Sequence, residues 1–156
     1  MLITGGNGGI GLGMGRAVAR AGAHVIVWGR NDTKNEAAVA ELRGLGVLAH
    51  AVVADTADEA EVATGFARSI DLAGGQIDAV FANAGTTGNG ERFPDTSFEE
   101  WRRVMSINLD GVFLTLREAA RHMIGHGNGG ALVAVSSTSA VHGAAGNEAY
   151  GTAKTG

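Results

Sequence analysis

The sequence predicts an α/β fold built as a doubly wound parallel sheet, and three observations carry that expectation. Apolar runs recur five times, at Leu2-Ile3-Thr4, His24 to Trp28, Val47 to Ala54, Ile77 to Ala82 and Ala131 to Val135. Between them lie stretches with apolar residues at helical spacing. The runs are continuous rather than alternating, as strands covered by helices on both faces require.

The first strand is a stub, and Gly5-Gly6-Asn7-Gly8-Gly9-Ile10-Gly11 leads from it into a helix bearing Leu12, Met14, Ala17, Val18 and Ala21, with Gly22 as its stop. The second strand exits through Gly29-Arg30-Asn31. Thr33-x-x-Glu36 is a capping-box pattern for a helix that turns Ala38, Leu42 and Leu45 inward. The third strand ends in Asp55, and Thr56-x-x-Glu59 is the expected cap for a helix with Val62, Phe66 and Ile70 on one face. The fourth strand delivers Asn83-Ala84-Gly85. A glycine-rich loop with the only proline, Pro94, follows, and then Thr96-x-x-Glu99 or Ser97-x-x-Glu100 opens a helix with Trp101, Val104 and Met105. Asn108 lies near an expected break, beyond which Val112, Leu116, Ala119 and Met123 mark another helix. The turn from His126 to Gly130 leads to the fifth strand, which ends at Ser136-Ser137.

Composition narrows the function classes. The 156 residues suffice for one domain over 1–156, with 45% apolar and 18% charged residues, as in soluble globular proteins. A net charge of −4 gives no electrostatic case for a nucleic-acid partner, and no apolar run reaches membrane-spanning length. Cysteine is absent, which excludes disulfides and thiolate metal sites and suits a reducing, cytoplasmic setting. The start of the chain enters the glycine motif at once, leaving no room for a signal peptide.

A glycine-rich turn between a first strand and a first helix is where backbone amides and a helix N-terminus accept a pyrophosphate, the Rossmann-type arrangement. The plain alternative is a tight turn without ligand. Arg30 follows the second strand, where an arginine accommodates the 2′-phosphate of NADP and an acid would accept the ribose hydroxyl of NAD. No acid occupies positions 29–31, so NADP is favoured, with NAD as the alternative and a solvated surface arginine as the plain reading. Asp55 suits an adenine amino group or the cap of the next helix. Asn83-Ala84-Gly85 sits at the carboxyl edge of the sheet, where such folds bind ligands, and can equally tie loops to the sheet. Tyr150 and Lys154, at i and i+4, share a helix face. An ammonium beside a phenol favours phenolate, lowering a pKa that is ordinarily ~10. Ser137 could orient a carbonyl that the phenol protonates. Alone, a Tyr and a Lys one turn apart are an ordinary amphipathic face. His122 and His126 have metal-ligand spacing but no third ligand, so no metal site is expected. His142 reads as a substrate contact or as an exposed loop residue.

Together these residues resemble the short-chain dehydrogenase/reductase family, in its compact oxidoreductase branch. Thr4-Gly5-x-x-x-Gly9-x-Gly11 is similar to the family's cofactor motif, Asn83-Ala84-Gly85 to its sheet-stabilising motif, and Asn108, Ser137, Tyr150 and Lys154 to its catalytic tetrad. The resemblance implies hydride transfer between a nicotinamide and a ketone or secondary alcohol. In it Tyr150 is the acid–base, Ser137 holds the substrate oxygen, Lys154 lowers the tyrosine pKa and bonds the nicotinamide ribose, and Asn108 supports a proton-relaying water. It implies cofactor contacts from Gly5, Asn7, Gly9, Ile10, Gly11, Arg30, Asp55, Asn83, Ala84, Gly85, Tyr150 and Lys154, and a homo-oligomer, dimer or tetramer, for the full-length protein. Family members continue beyond Lys154 through two more strands, so the chain reads as a fragment short at both ends. Two further readings stand beside the leading one. The first is nucleotide binding without turnover. The second is an extended-branch nucleotide-sugar epimerase or dehydratase, because Gly8 also completes that branch's glycine spacing.

Overall fold

The computed structural model describes residues 1–143 and 145–156. Five parallel strands, β1 (Leu2–Thr4), β2 (Val25–Trp28), β3 (Ala49–Val52), β4 (Ala79–Ala82) and β5 (Ala131–Ala134), form one sheet in the order β3-β2-β1-β4-β5. The order reverses between β1 and β4, so their carboxyl ends diverge and open a crevice. The helices are α1 (Gly9–Arg20), α2 (Asp32–Arg43), α3 (Glu59–Leu72), α4 (Phe98–Met105), α5 (Gly111–His126) and α6 (Glu148–Thr155).

The continuous apolar runs divide between two cores because side chains alternate along a strand. Leu2, Ile26, Trp28 and Val80 meet Val62 and Phe66 of α3 and Leu114, Ala119 and Met123 of α5. Ile3, Val25, Val27 and Ala49 meet Ala19 of α1 and Val39 and Leu42 of α2 on the other face. Trp28 lies edge-on to Phe66, with ring centroids 6.4 Å apart, and its indole N–H donates to the buried Ser69 hydroxyl at 2.9 Å. On the edge strand β5, Ala131, Leu132 and Ala134 remain exposed.

Three local expectations are corrected. Helix α2 is capped by Asn31, whose side chain accepts from the Lys34 N–H, rather than by Thr33. Helix α3 is capped by Asp58, which accepts from the Glu61 N–H, rather than by Thr56. In both cases a stronger capping side chain lies within two residues of the expected one, and Asn and Asp outrank Thr at that position. The break near Asn108 is no break: a π-turn over Ser106–Asp110 carries α4 into α5 without a loop. The π-turn displaces the helical register by a residue, which erases the apolar period and reads as an interruption. Among the described residues, no helix is long and apolar enough to cross a membrane.

Phe66 is 3% exposed and contacts both Trp28 and the His122 ring. Phe66→Ala is expected to lower stability by about 3–5 kcal/mol, read as a fall in the urea midpoint at unchanged slope.

Candidate active site

The glycine loop between β1 and α1 depends on close backbone approach. Gly5 has φ of +64°, a conformation that side-chain-bearing residues avoid, and a Cβ on Gly11 would lie 2.2 Å from the Gly5 carbonyl oxygen. At Gly8 and Gly9 the space a Cβ would take is open. Helix α1 begins there with no side-chain cap, whereas α2, α3 and α4 are capped by Asn31, Asp58 and Ser97. The first N–H groups of α1 are thus free to meet an anion, and the helix dipole favours one.

The end of β4 is tied to the end of β1. The Thr4 hydroxyl accepts from the Asn83 and Ala84 N–H groups, both at 3.0 Å, and the Asn83 amide donates to the Thr4 carbonyl at 3.0 Å. Asn108, buried in the π-turn, donates to the Thr86 and Val104 carbonyls at 2.8 and 2.9 Å and accepts from the Thr86 N–H at 3.1 Å. Its amide therefore holds both backbone groups of Thr86. A Cβ on Gly85 would stand 2.7 Å from Asn108 Oδ1 and 3.6 Å from Lys154 Nζ, so Asn108 and Lys154 crowd the same backbone point.

Ser137 joins Tyr150 and Lys154, which share a helix face as their spacing implies, around one cavity. A cavity of about 570 Å³ is lined by Ser137, Tyr150 and Lys154 together with Gly5, Asn7, Ile10, Gly11 and Asn83 to Gly85. The Lys154 ammonium lies 5.8 Å from the Tyr150 ring centroid and donates to the Val135 carbonyl at 2.8 Å. The Ser136 hydroxyl donates to the Lys154 carbonyl at 2.7 Å, so the two residues just after β5 hold Lys154 at its ammonium and its backbone. Ser137 Oγ accepts from the Ser139 N–H at 3.1 Å, which leaves its own proton available to the cavity. Burial pushes the Lys154 ammonium below the usual lysine range.

Arg30 and Asp55 line a second cavity of about 210 Å³ that shares Gly5, Asn7, Ala84, Gly85 and Thr86 with the first. The two residues face each other, Arg30 Nη1 lying 3.4 Å from Asp55 Oδ2. Asp55 also accepts from the Ala57 N–H and so shapes the approach to α3. Among the expected contacts, Gly9 and Asn108 line neither of these cavities. His142 is exposed, and His122 Nε2 accepts from the Ile77 N–H in the α3–α5 core.

Two groups were missed by sequence reasoning. Thr86 and Thr87, just past the Asn83-Ala84-Gly85 motif, also line the first cavity. Arg103 and Glu100 pin that segment: Arg103 donates to the Thr87 carbonyl at 3.2 Å, and Glu100 Oε1 accepts from the Asn89 N–H at 2.9 Å. In the sequence Glu100 reads as the reciprocal half of a capping box. Ser97 does cap α4, but the Glu100 carboxylate faces Asn89 and Arg103 instead.

The profile of the short chain dehydrogenase family matches residues 1–156. The chain belongs to that family. It is 36% identical over 140 residues to a short chain dehydrogenase of Claviceps purpurea, covering 89% of this chain and 51% of the relative. The structure of an NAD+-bound xylitol dehydrogenase superposes with a TM-score of 0.93 at 34% identity, covering 99% of this chain and 58% of that one. An NADPH-dependent 3-quinuclidinone reductase from Rhodotorula rubra does so with a TM-score of 0.87 at 31% identity, with the same coverages. This short-chain dehydrogenase thus spans about half the length of the curated relative and 58% of each of these structures.

The lowered pKa of Lys154 has a stability consequence with a definite sign. Between the lowered folded value and the ordinary lysine value, the unfolded chain holds a proton that the folded chain does not, so stability rises with pH there. Below that window the buried charge carries its full penalty. Lys154→Met is therefore expected to unfold no more than about 1 kcal/mol below the parent at pH 7. The stability difference should move in the parent's favour as pH rises through the window, as measured by denaturant titration across pH.

Proposed function

We propose that this short-chain dehydrogenase binds a nicotinamide dinucleotide, NADP in preference to NAD, and interconverts a ketone with a secondary alcohol. The observation that carries the reading is that an uncapped helix N-terminus in a glycine loop opens onto the same cavity as Ser137, Tyr150 and Lys154. An anion-accepting end and a proton-transfer end in one groove suit a ligand that is a pyrophosphate at one point and a redox group at another. The residues fit such a group: the open space at Gly8 and Gly9 admits a pyrophosphate, and the second cavity beside Arg30 and Asp55 admits an adenosine.

When bound, the nicotinamide supplies or accepts the hydride. The chain's own residues manage the proton and the geometry. In the reducing direction Tyr150 Oη gives its proton to the carbonyl oxygen as negative charge develops there, while the Ser137 hydroxyl donates a hydrogen bond to the same oxygen. The adjacent Lys154 ammonium stabilises the phenolate that remains and is placed to bond the nicotinamide ribose. Asn108 holds the segment after β4 through Thr86, and in this reading it supports the water that returns a proton towards Lys154. Arg30, two-thirds exposed at its side chain and with one long contact to Asp55, keeps most of its donors for a 2′-phosphate. The two superposed structures named above are an NAD+-bound and an NADPH-dependent protein, so the preference for NADP rests on Arg30. The substrate is a small carbonyl or alcohol compound, and the exposed apolar side chains Phe113 and Ile124 on α5 support a homo-oligomer.

Titration with NADPH and NADH, followed by nicotinamide fluorescence, tests the cofactor reading. NADPH is expected to bind more tightly, and Arg30→Ala should weaken NADPH about ten-fold while leaving NADH nearly unchanged. Equal loss for both cofactors would remove the 2′-phosphate assignment. Tyr150→Phe should retain cofactor binding and lower kcat by about a hundred-fold or more on any ketone the parent reduces. A Tyr150→Phe protein with parental kcat would refute the acid–base role.

A further inference from the structure

Asn35 sits on the first turns of α2, where the sequence shows only a polar residue in a polar run, yet it is fully buried. Its Nδ2 donates to the Gly29 carbonyl at 2.8 Å, and its Oδ1 accepts from Asn7 Nδ2 at 2.7 Å. Gly29 is the exit of β2, immediately before Arg30, and Asn7 is in the glycine loop. The packing is tight around this chain of amides. A Cβ on Gly29 would lie 2.1 Å from Asn7 Nδ2 and 2.6 Å from Asn35 Oδ1.

The polarity of the chain is forced. The Gly29 carbonyl can only accept, so Asn35 must present its NH2 there and its oxygen to Asn7. Asn7 must answer with its own NH2. The Asn7 carbonyl oxygen is then left without a partner among the described residues, on a side chain that lines both cavities. An amide free to flip could turn either end to the groove; this one is held with its oxygen unbonded and one of its two N–H groups committed to Asn35.

We infer that Asn35 is a positioning residue for the nucleotide: through Asn7 and Gly29 it fixes the glycine loop against the β2 exit and presents Asn7 Oδ1 as an acceptor for a ligand hydroxyl. The inference rests on the cofactor reading above. Asn35 lines neither cavity and acts wholly through two neighbours, Asn7 beside both cavities and Gly29 beside the smaller one.

The test is Asn35→Asp, which keeps the shape of the side chain. Protonated, the acid donates to the Gly29 carbonyl and accepts from Asn7, reproducing both bonds. Ionised, it sets a carboxylate against that carbonyl. Full burial disfavours the charged form and raises the carboxyl from its ordinary ~3.9, so the ratio of variant to parent Kd for NADPH, measured from pH 5.5 to 8 with folding monitored by circular dichroism, is expected to rise about five-fold or more across the range. Taking the ratio at each pH removes the titration of the cofactor itself. A ratio that stays near one across the range overturns the proposal and leaves the cofactor reading intact, because Asn35 is then only a core residue. No binding of NADPH or NADH by the parent overturns both. Asn35→Ala combined with Asn7→Ala gives a second check. The double variant should lose less NADPH affinity than the sum of the two single losses, since the part that Asn35 exerts through Asn7 is shared. Additive losses would overturn the proposal, and if Asn35→Ala does not fold, the Asp variant decides.

Discussion

The groove exists because β1 and β4 are locked at their carboxyl ends and separate immediately afterwards. Thr4 is the lock: one buried hydroxyl accepts two backbone N–H groups from the Asn83-Ala84 turn, and the Asn83 amide returns a bond to the Thr4 carbonyl. A buried N–H without a partner costs on the order of 1–3 kcal/mol, so losing that hydroxyl would release a turn as well as a bond. The close approach at Gly11 follows from the same lock. The Gly5 carbonyl is held beneath the start of α1, so only a glycine fits above it, and Asn83 Nδ2 would lie 2.6 Å from any Cβ there. The glycine loop and the Asn83-Ala84-Gly85 motif, far apart in sequence, are thus one construction.

Lys154 shows what the site requires of the fold. Its ammonium is largely buried, bonded to one carbonyl, and carries a lowered pKa from desolvation. A charge held that way destabilises the folded chain unless something else gains from it. In the proposed mechanism the gain is in the transition state, where a cation near the Tyr150 ring stabilises phenolate more strongly than it could in water. The segment leaving β5 enforces the arrangement by taking Lys154 through the Val135 carbonyl and the Ser136 hydroxyl. The serine beside Ser137 is therefore a structural anchor for Lys154.

Much of this was legible in the sequence, and for identifiable reasons. Apolar runs gave all five strands, and helical spacing alone set Tyr150 beside Lys154, whereas Asn108 and Ser137 joined them only through the family resemblance. The failures share one cause. The caps at Asn31 and Asp58, the π-turn at Asn108 and the buried Asn35 all depend on which polar group wins a backbone partner, and sequence periodicity records only apolar faces. Asn35 is the clearest instance. Its position, three residues before Ala38 and seven before Leu42, lies on the buried face, but its polarity hides that, and nothing in the apolar pattern shows that its amide meets Gly29 and Asn7.

The departures from ordinary local rules cluster in one place. Helix α1 lacks a side-chain cap, Lys154 is a charge in the interior, Gly5 and Gly11 tolerate no Cβ, and the Asn7 carbonyl oxygen is without a partner among the described residues. Each would be a defect in a fold selected for stability alone, and each faces the crevice between β1 and β4. Elsewhere Asn31, Asp58, Ser97, Ser69 and Asn108 satisfy their backbone or side-chain partners, although the buried His126 Nε2 at the C-terminal end of α5 has no partner among the described residues and α6 also begins without a side-chain cap. Several departures meeting in one cleft are the expected mark of a ligand site. The kinds of group left over also describe the ligand. Free helix N–H groups favour an anion, an unbonded amide oxygen favours a donor such as a hydroxyl, and a phenol beside an ammonium suits an oxygen that gains and loses a proton. These are the groups on which the proposed nucleotide and its reaction partner rest.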